Sequence, residues 1–150
     1  KDVPFAVYLG DNALSRKDYA GAEVAYRHVV EIQPNHVASL NNIAWLMVKT
    51  NKPGALPFAE KANELQPNQP ALMDTMALAL AADKRVDQAI ELQKKALALA
   101  PDSDILRLTL ARLYIQAGQK PQARELLESL NKRGEKLPEH AEVKSLLAGL

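Results

Sequence analysis

Histidines are the residues of this chain best suited to metal binding or proton transfer, but their spacing favours neither. His28, His36 and His140 are never three or four residues apart, the spacing that puts two ligands on adjacent turns of one helix. His28 is followed by Glu31, a pairing typical of a solvated helix surface. The chain has no Cys, which excludes thiolate ligands and cysteine nucleophiles. The sequence therefore predicts no metal and no cofactor.

Carboxylates cluster in Asp102-Ser103-Asp104, but these residue types at this spacing favour a helix N-cap with acidic neighbours over a catalytic pair. Glycine-rich phosphate loops, a serine nucleophile elbow and a His-Glu-x-x-His motif are all lacking. We therefore predict that the chain is not an enzyme.

Charge is nearly balanced, with 19 Lys and Arg against 18 Asp and Glu and a formal net charge of +1. A nucleic-acid binder normally has a basic excess, and the one basic run here is short, Asn131-Lys132-Arg133. The sequence thus predicts a protein or peptide partner and no nucleic acid. It also predicts no transmembrane segment, because no apolar run approaches the length needed to span a bilayer.

A repeat of about 34 residues organises the chain. Three near-copies, Ile32-Gln33-Pro34-Asn35, Leu65-Gln66-Pro67-Asn68 and Leu99-Ala100-Pro101-Asp102, place their prolines 33 and 34 residues apart. Between them, apolar residues recur at helical spacing, and small residues recur at one slot in each helix. The small slots are Gly10, Ala44, Ala77 and Ala111 in the first helices, and Ala22, Ala55, Ala89 and Ala123 in the second helices.

The pattern predicts nine helices, two per repeat and a last one that closes the stack. The second repeat is one residue short and carries Pro57 where its second helix should be under way, so that helix is expected to begin late or bend. Pro53 and Pro121 are assigned to the first turns of second helices. The predicted helices are 3–15, 19–33, 36–50, 55–66, 70–82, 86–99, 103–117, 121–132 and 138–149.

These residues resemble the tetratricopeptide repeat (TPR) family. Leu9, Gly10, Ala22, Tyr26 and Pro34 match the family pattern in the first repeat, and similar sets match in the next three. The resemblance implies an all-α, right-handed superhelical solenoid of four hairpins and a closing helix within a single domain. The repeats are assigned to residues 3–36, 37–69, 70–103 and 104–133, and the closing helix to residues 138–149. Because nothing comparable to the closing helix covers the first repeat, we expect the chain to be a fragment of a longer repeat protein.

A narrower resemblance concerns the setting. Residues 40–46, 59–67 and 71–75 are similar to long bacterial TPR proteins associated with exopolysaccharide production and PEP-CTERM protein sorting, many of them lipoproteins. This likeness favours a periplasmic, envelope-associated location and leaves a cytoplasmic one open.

The resemblance also implies a binding scaffold whose partner, a peptide or a helix, lies in a concave groove formed by the first helices. We name the candidate positions the groove face. Its residues are Val7, Asp11, Asn41, Trp45, Val48, Asp74, Leu78, Leu108, Arg112 and Ile115. Trp45 is the expected anchor, since Trp is a preferred interface residue, with a basic ligand end near Asp11 and an acidic end near Arg112. Mutual packing of neighbouring helices is the alternative for the aliphatic positions. An architectural spacer that binds nothing is the alternative function.

Overall fold

The computed structural model describes residues 2–150, and Lys1 lies outside the described residues. Within that range the chain forms nine α-helices and one short 3₁₀ helix, Gly134–Lys136, and no strand. The α-helices are α1 Val3–Ser15, α2 Tyr19–Ile32, α3 Val37–Lys49, α4 Leu56–Leu65, α5 Pro70–Ala82, α6 Val86–Leu99, α7 Asp104–Gln116, α8 Lys120–Asn131 and α9 His140–Ala148.

Consecutive helices pack as four hairpins, α1 with α2, α3 with α4, α5 with α6 and α7 with α8. Each hairpin also packs on the next through its second helix, and α3, α5 and α7 contact one another in sequence. Helix α9 packs against α8 and closes this end of the stack. The predicted all-α solenoid of four hairpins and a closing helix is confirmed.

Each hairpin turns through one residue with left-handed backbone. The φ angles are 59° at Lys17, 57° at Asn51, 60° at Lys84 and 75° at Gly118. After each of these residues, the next backbone N–H donates to a carbonyl five residues earlier, as from Gln119 to Tyr114 at 2.8 Å. This bond satisfies a carbonyl that the end of the first helix would leave unpaired.

The small slots lie in the core between the two helices of a hairpin, where Ala44 clusters with Ala55 and Ala77 with Ala89. Ala44, Ala77 and Ala111 are completely buried. In the first repeat the opposing residue is Tyr26, and a methyl group on Gly10 would lie 2.6 Å from its Cε1 atom. Glycine is therefore required where the second helix presents a large ring, and alanine is sufficient where it does not.

The structure differs from the prediction in the place of Pro53 and in the start of the closing helix. Pro53 precedes α4 and does not open it; Pro57 lies in the first turn instead, and α4 has 10 residues where α2 and α6 have 14. The closing helix begins at His140 and not at residue 138. Leu137 precedes Pro138 and is extended, with φ −88° and ψ 120°, because proline disfavours helical backbone in the residue before it.

Candidate functional site

One row of the groove face consists of one residue from the same position of each first helix: Asp11, Trp45, Leu78 and Arg112. The two charged ends are exposed, whereas the two central side chains are partly buried. The row therefore carries an acid, an aromatic ring, an aliphatic side chain and a base on the successive first helices of the four repeats.

Trp45 is held in place without being enclosed. Its ring meets the edge of Tyr19 from α2, with centroids 5.9 Å apart and planes at 82°. The Lys49 ammonium lies 5.9 Å from the centroid of the Trp45 ring, one helical turn further along α3. An aromatic side chain fixed by its neighbours and still partly exposed loses little entropy when a partner covers it.

The charges at the two ends of this row differ in their availability. The Asp11 carboxylate accepts a hydrogen bond of 2.5 Å from the Tyr26 hydroxyl and keeps its charge exposed. Arg112, by contrast, donates from both Nε, at 3.1 Å, and Nη2, at 2.6 Å, to Glu142 Oε1 on α9. Because Glu142 neutralises Arg112, an acidic ligand end at Arg112 is no longer favoured.

A second row of the groove face turns towards the neighbouring helices. Its residues are Val7, Asn41, Asp74 and Leu108. Leu108 is only 3% exposed and packs in the core beneath α9, so its expected contact with a partner is wrong for the folded chain. Val7 is partly buried, and the buried Oδ1 atom of Asn41 has no hydrogen-bond partner within residues 2–150.

Asp74 belongs to an internal polar network. Its Oδ1 accepts a 2.6 Å hydrogen bond from Nε2 of Gln93, a fully buried side chain that also donates to the Leu106 carbonyl. Burial raises the pKa of Asp74, although hydrogen bonds from Gln93 and Thr109 and the charge of Arg112 act in the opposite direction. These contacts explain Asp74 as part of the α5–α6–α7 packing.

The remaining groove-face residues, Val48 and Ile115, are partly buried and pack against core clusters. Val48 also lines a cleft of about 490 Å³ at the turn between α3 and α4. The groove face is therefore continuous with a depression that sequence reasoning did not anticipate. The late start of α4, which the short second repeat indicates, was the available signal for it.

The sequence pattern also did not predict a buried glutamate, Glu23. Glu23 on α2 accepts from Arg27 Nε and from Lys52 Nζ, both at 2.8 Å, and is 5% exposed. Burial alone would raise the pKa of Glu23, but the hydrogen bonds from Lys52 and Arg27 prevail and lower it. This ion pair ties the turn of the second repeat to the second helix of the first.

The outer face of α1 is the largest departure from the predicted core. Leu9 matches the family pattern of the first repeat, yet it is 45% exposed, and Phe5 and Tyr8 beside it are 55% and 61% exposed. The equivalent residues of later repeats are buried or partly buried, and Ile43 of the second repeat packs in a core cluster with residues of the preceding hairpin. Leu9 lacks such a neighbour within residues 2–150.

Two further observations concern residues 2–150 as a whole. They bring together no group of three or more His, Cys, Asp or Glu side chains placed to hold a metal ion. None of their helices combines the length and the apolar composition needed to cross a membrane.

The chain resembles known repeat proteins in sequence. A family model described as tetratricopeptide repeat matches residues 80–150. A small glutamine-rich tetratricopeptide repeat-containing protein of Mycosarcoma maydis is 27% identical over 103 residues, which are 68% of this chain and 29% of that protein. Cellulose synthase 2 operon protein C of Komagataeibacter xylinus is 31% identical over 145 residues, 92% of this chain and 11% of that protein. The chain thus spans less than a third of these curated relatives.

Solved structures agree with the fold. A thermophilic TPR protein of Thermus thermophilus superposes over 99% of this chain and 81% of its own, with a TM-score of 0.77 and 19% identity. MamA of Desulfovibrio magneticus superposes over 87% of this chain and 75% of its own, with a TM-score of 0.75 and 20% identity. TPR folds are typical of protein-interaction scaffolds and are generally non-catalytic. The stacked hairpins and the solved structures together show the tetratricopeptide repeat fold, and the family model and the sequence relatives support membership of the tetratricopeptide repeat family.

Proposed function

We propose that this chain acts as a scaffold that binds a peptide or a helix of a partner protein along the groove face, and that it catalyses no reaction. The observation that carries the proposal is the position of Trp45, a partly buried ring that contacts Tyr19 and Lys49. It lies in the row that runs from Asp11 to Arg112. Aromatic side chains of this kind are frequent anchors of protein interfaces.

The partner segment that fits this row is apolar, with a basic group at one end. Leu78 extends the apolar surface beyond Trp45, and the exposed Asp11 carboxylate attracts a cation on the other side. The near-neutral net charge of the chain gives no broad attraction for nucleic acid, so a protein or peptide is the proposed partner.

A peptide-display selection on the immobilised chain tests this function. We expect selected peptides to combine aliphatic residues with a basic end. Trp45→Ala should weaken their binding by about 2 kcal/mol or more, because truncation of an interface anchor typically costs this much. Glu125→Gln, an exposed change on α8, serves as the control. A selection that yields no peptide sensitive to Trp45→Ala would favour an architectural spacer.

We further propose that the chain is a section of a longer repeat array in a bacterial envelope system for exopolysaccharide production or protein sorting. The exposed Phe5, Tyr8 and Leu9 face supports the array, since its counterparts are covered by hairpins. The similarity to cellulose synthase 2 operon protein C of Komagataeibacter xylinus supports the setting. Fractionation of cells that produce the whole protein tests the location: recovery with the envelope would support it, and recovery in the cytosol would contradict it.

A further inference from the structure

The cleft at the α3–α4 turn arises from the residue that the second repeat lacks. In the third repeat four residues, 85–88, separate the left-handed Lys84 from the small slot at Ala89. In the second repeat only residues 52–54 lie between Asn51 and Ala55. The missing residue removes the first turn of α4, which begins at Leu56.

Side chains fill the corresponding place in neighbouring repeats. Tyr19 opens α2 and packs against the core cluster of the first two repeats, and Val86 opens α6 and packs against the next cluster. The second repeat has Lys52, Pro53 and Gly54 here, and none of the three packs on a core cluster. An open cleft of about 490 Å³ remains between the turn and the end of α5.

The cleft has apolar walls and an acidic rim. Val48, Leu56 and Ala79 are buried or partly buried apolar side chains in its lining. Glu60 and Asp83 also line it, both exposed and neither in an ion pair within residues 2–150.

One cation also borders the cleft, but its charge is already paired. The Nζ atom of Lys52 lies 2.8 Å from Glu23 Oε2. The charge left without a partner around the cleft is therefore negative, and a cationic group would complement it.

We propose that this cleft receives an arginine or lysine side chain from the partner segment bound on the groove face. Val48 belongs both to the groove face and to the cleft lining, so a segment in the groove lies within reach of the cleft. The aliphatic stem of the side chain packs on Val48, Leu56 and Ala79, and its charged end lies at the carboxylates of Glu60 and Asp83. This inference rests on the proposed function, which it deepens by naming one side-chain class of the partner.

The test measures binding of N-acetylargininamide, the probe, and of N-acetylcitrullinamide, its uncharged isostere. Binding is monitored by methyl NMR of the 150-residue chain. The arginine probe should shift the methyl resonances of Val48, Ala79 and Ala82 at the cleft. Asp83→Asn and Glu60→Gln should each weaken its binding by about threefold, as expected for exposed ion pairs, and Glu125→Gln should not. Replacing Pro53 and Gly54 with the sequence Val-Asp-Gln of residues 86–88 should fill the cleft and abolish the shifts.

The proposal would be overturned by equal binding of the citrulline probe, by unchanged binding to both acid variants, or by unchanged binding after the cleft is filled. A Trp45→Ala variant separates this test from that of the groove. It should bind the small probe as the parent chain does, because the probe contacts the cleft alone. Loss of probe binding in Trp45→Ala, with no loss in Asp83→Asn, would place the cation on the Trp45 ring and contradict the cleft.

Discussion

The second and third repeats share a left-handed turn residue and a set of small slots, yet their second helices differ. Helix α6 has 14 residues and begins with Val86 packed on the core, whereas α4 has 10 and begins after an open cleft. Both repeats nevertheless bury alanines at matching positions, Ala55 and Ala62 in the second repeat and Ala89 and Ala96 in the third. The missing residue therefore shortens the turn and the start of α4 and leaves the register of the rest of the helix unchanged. A shift of register within α4 would have exposed its whole buried stripe.

The comparison predicts that the small slots of the two repeats are equally intolerant of a larger side chain. Ala44→Leu and Ala77→Leu should each lower the free energy of unfolding by about 1–3 kcal/mol, because both positions are fully buried and overpacked cores are strained. Urea denaturation of each variant beside the parent chain measures the loss. If Ala44→Leu is tolerated and Ala77→Leu is not, the cleft relieves strain at Ala44, and the two repeats differ in packing as well as in their turns.

The turn of the second repeat should depend on pH through Glu23. Its folded pKa is lowered, so its contribution to stability is present above its unfolded pKa near 4.5 and is lost as the pH falls through the folded value. Glu23→Gln should cost about 1 kcal/mol at pH 7, a modest figure because Arg27 and Lys52 are about half exposed and screened by solvent. Thermal melts from pH 7 to pH 3 should show the parent and the variant converging.

Asp74 in the third repeat should behave in the opposite way. Its folded pKa is raised by burial, so its ionisation costs stability as the pH rises from its unfolded value through the folded one. Asp74→Asn keeps an acceptor for Gln93 but cannot ionise. Its free energy of unfolding should therefore rise relative to that of the parent as the pH rises over the same range. A variant that loses stability relative to the parent at high pH would show that ionised Asp74 is favourable where it lies.

The smallest expected effect concerns the left-handed turn residues. Lys84→Gly should raise the free energy of unfolding by about 0.5–1 kcal/mol, because glycine adopts a positive φ without the strain that a β-carbon brings. Asn51→Gly should gain less, since Asn tolerates this conformation better than Lys. Equal gains in chemical denaturation would mean that the two turns are strained alike.

The repeat architecture could be predicted because each repeat contains the residues that end its helices and the small residues at which its helices pack. The prolines at 34, 67 and 101 and the recurring small residues specify helix ends and packing slots locally. The site was harder to predict, because burial depends on neighbours that one helix does not reveal. Leu108 and Arg112 were placed on an open face, and only the position of α9 shows that it covers the first and pairs with the second.

The same limit applies at the other end of the chain and at the cleft. Leu9 has the residue type and spacing of a core position, and its exposure follows from the lack of a hairpin against α1 within residues 2–150. Pro53 fits the start of a helix by type, but the missing residue delays α4 to Leu56. Local pattern predicts helices well, whereas the environment of a surface depends on which elements stack beside it.

Fluorescence of Trp45, the single tryptophan of the chain, tests the central claim most directly. If Trp45 anchors a partner, acrylamide should quench its emission in the free monomer, and a peptide selected on the chain should shift the emission to the blue and protect it. Trp45→Ala should then leave the melting temperature close to that of the parent. Emission already blue-shifted and protected in the free monomer, with a sharp fall in the melting temperature of Trp45→Ala, would make Trp45 a core residue and contradict the groove.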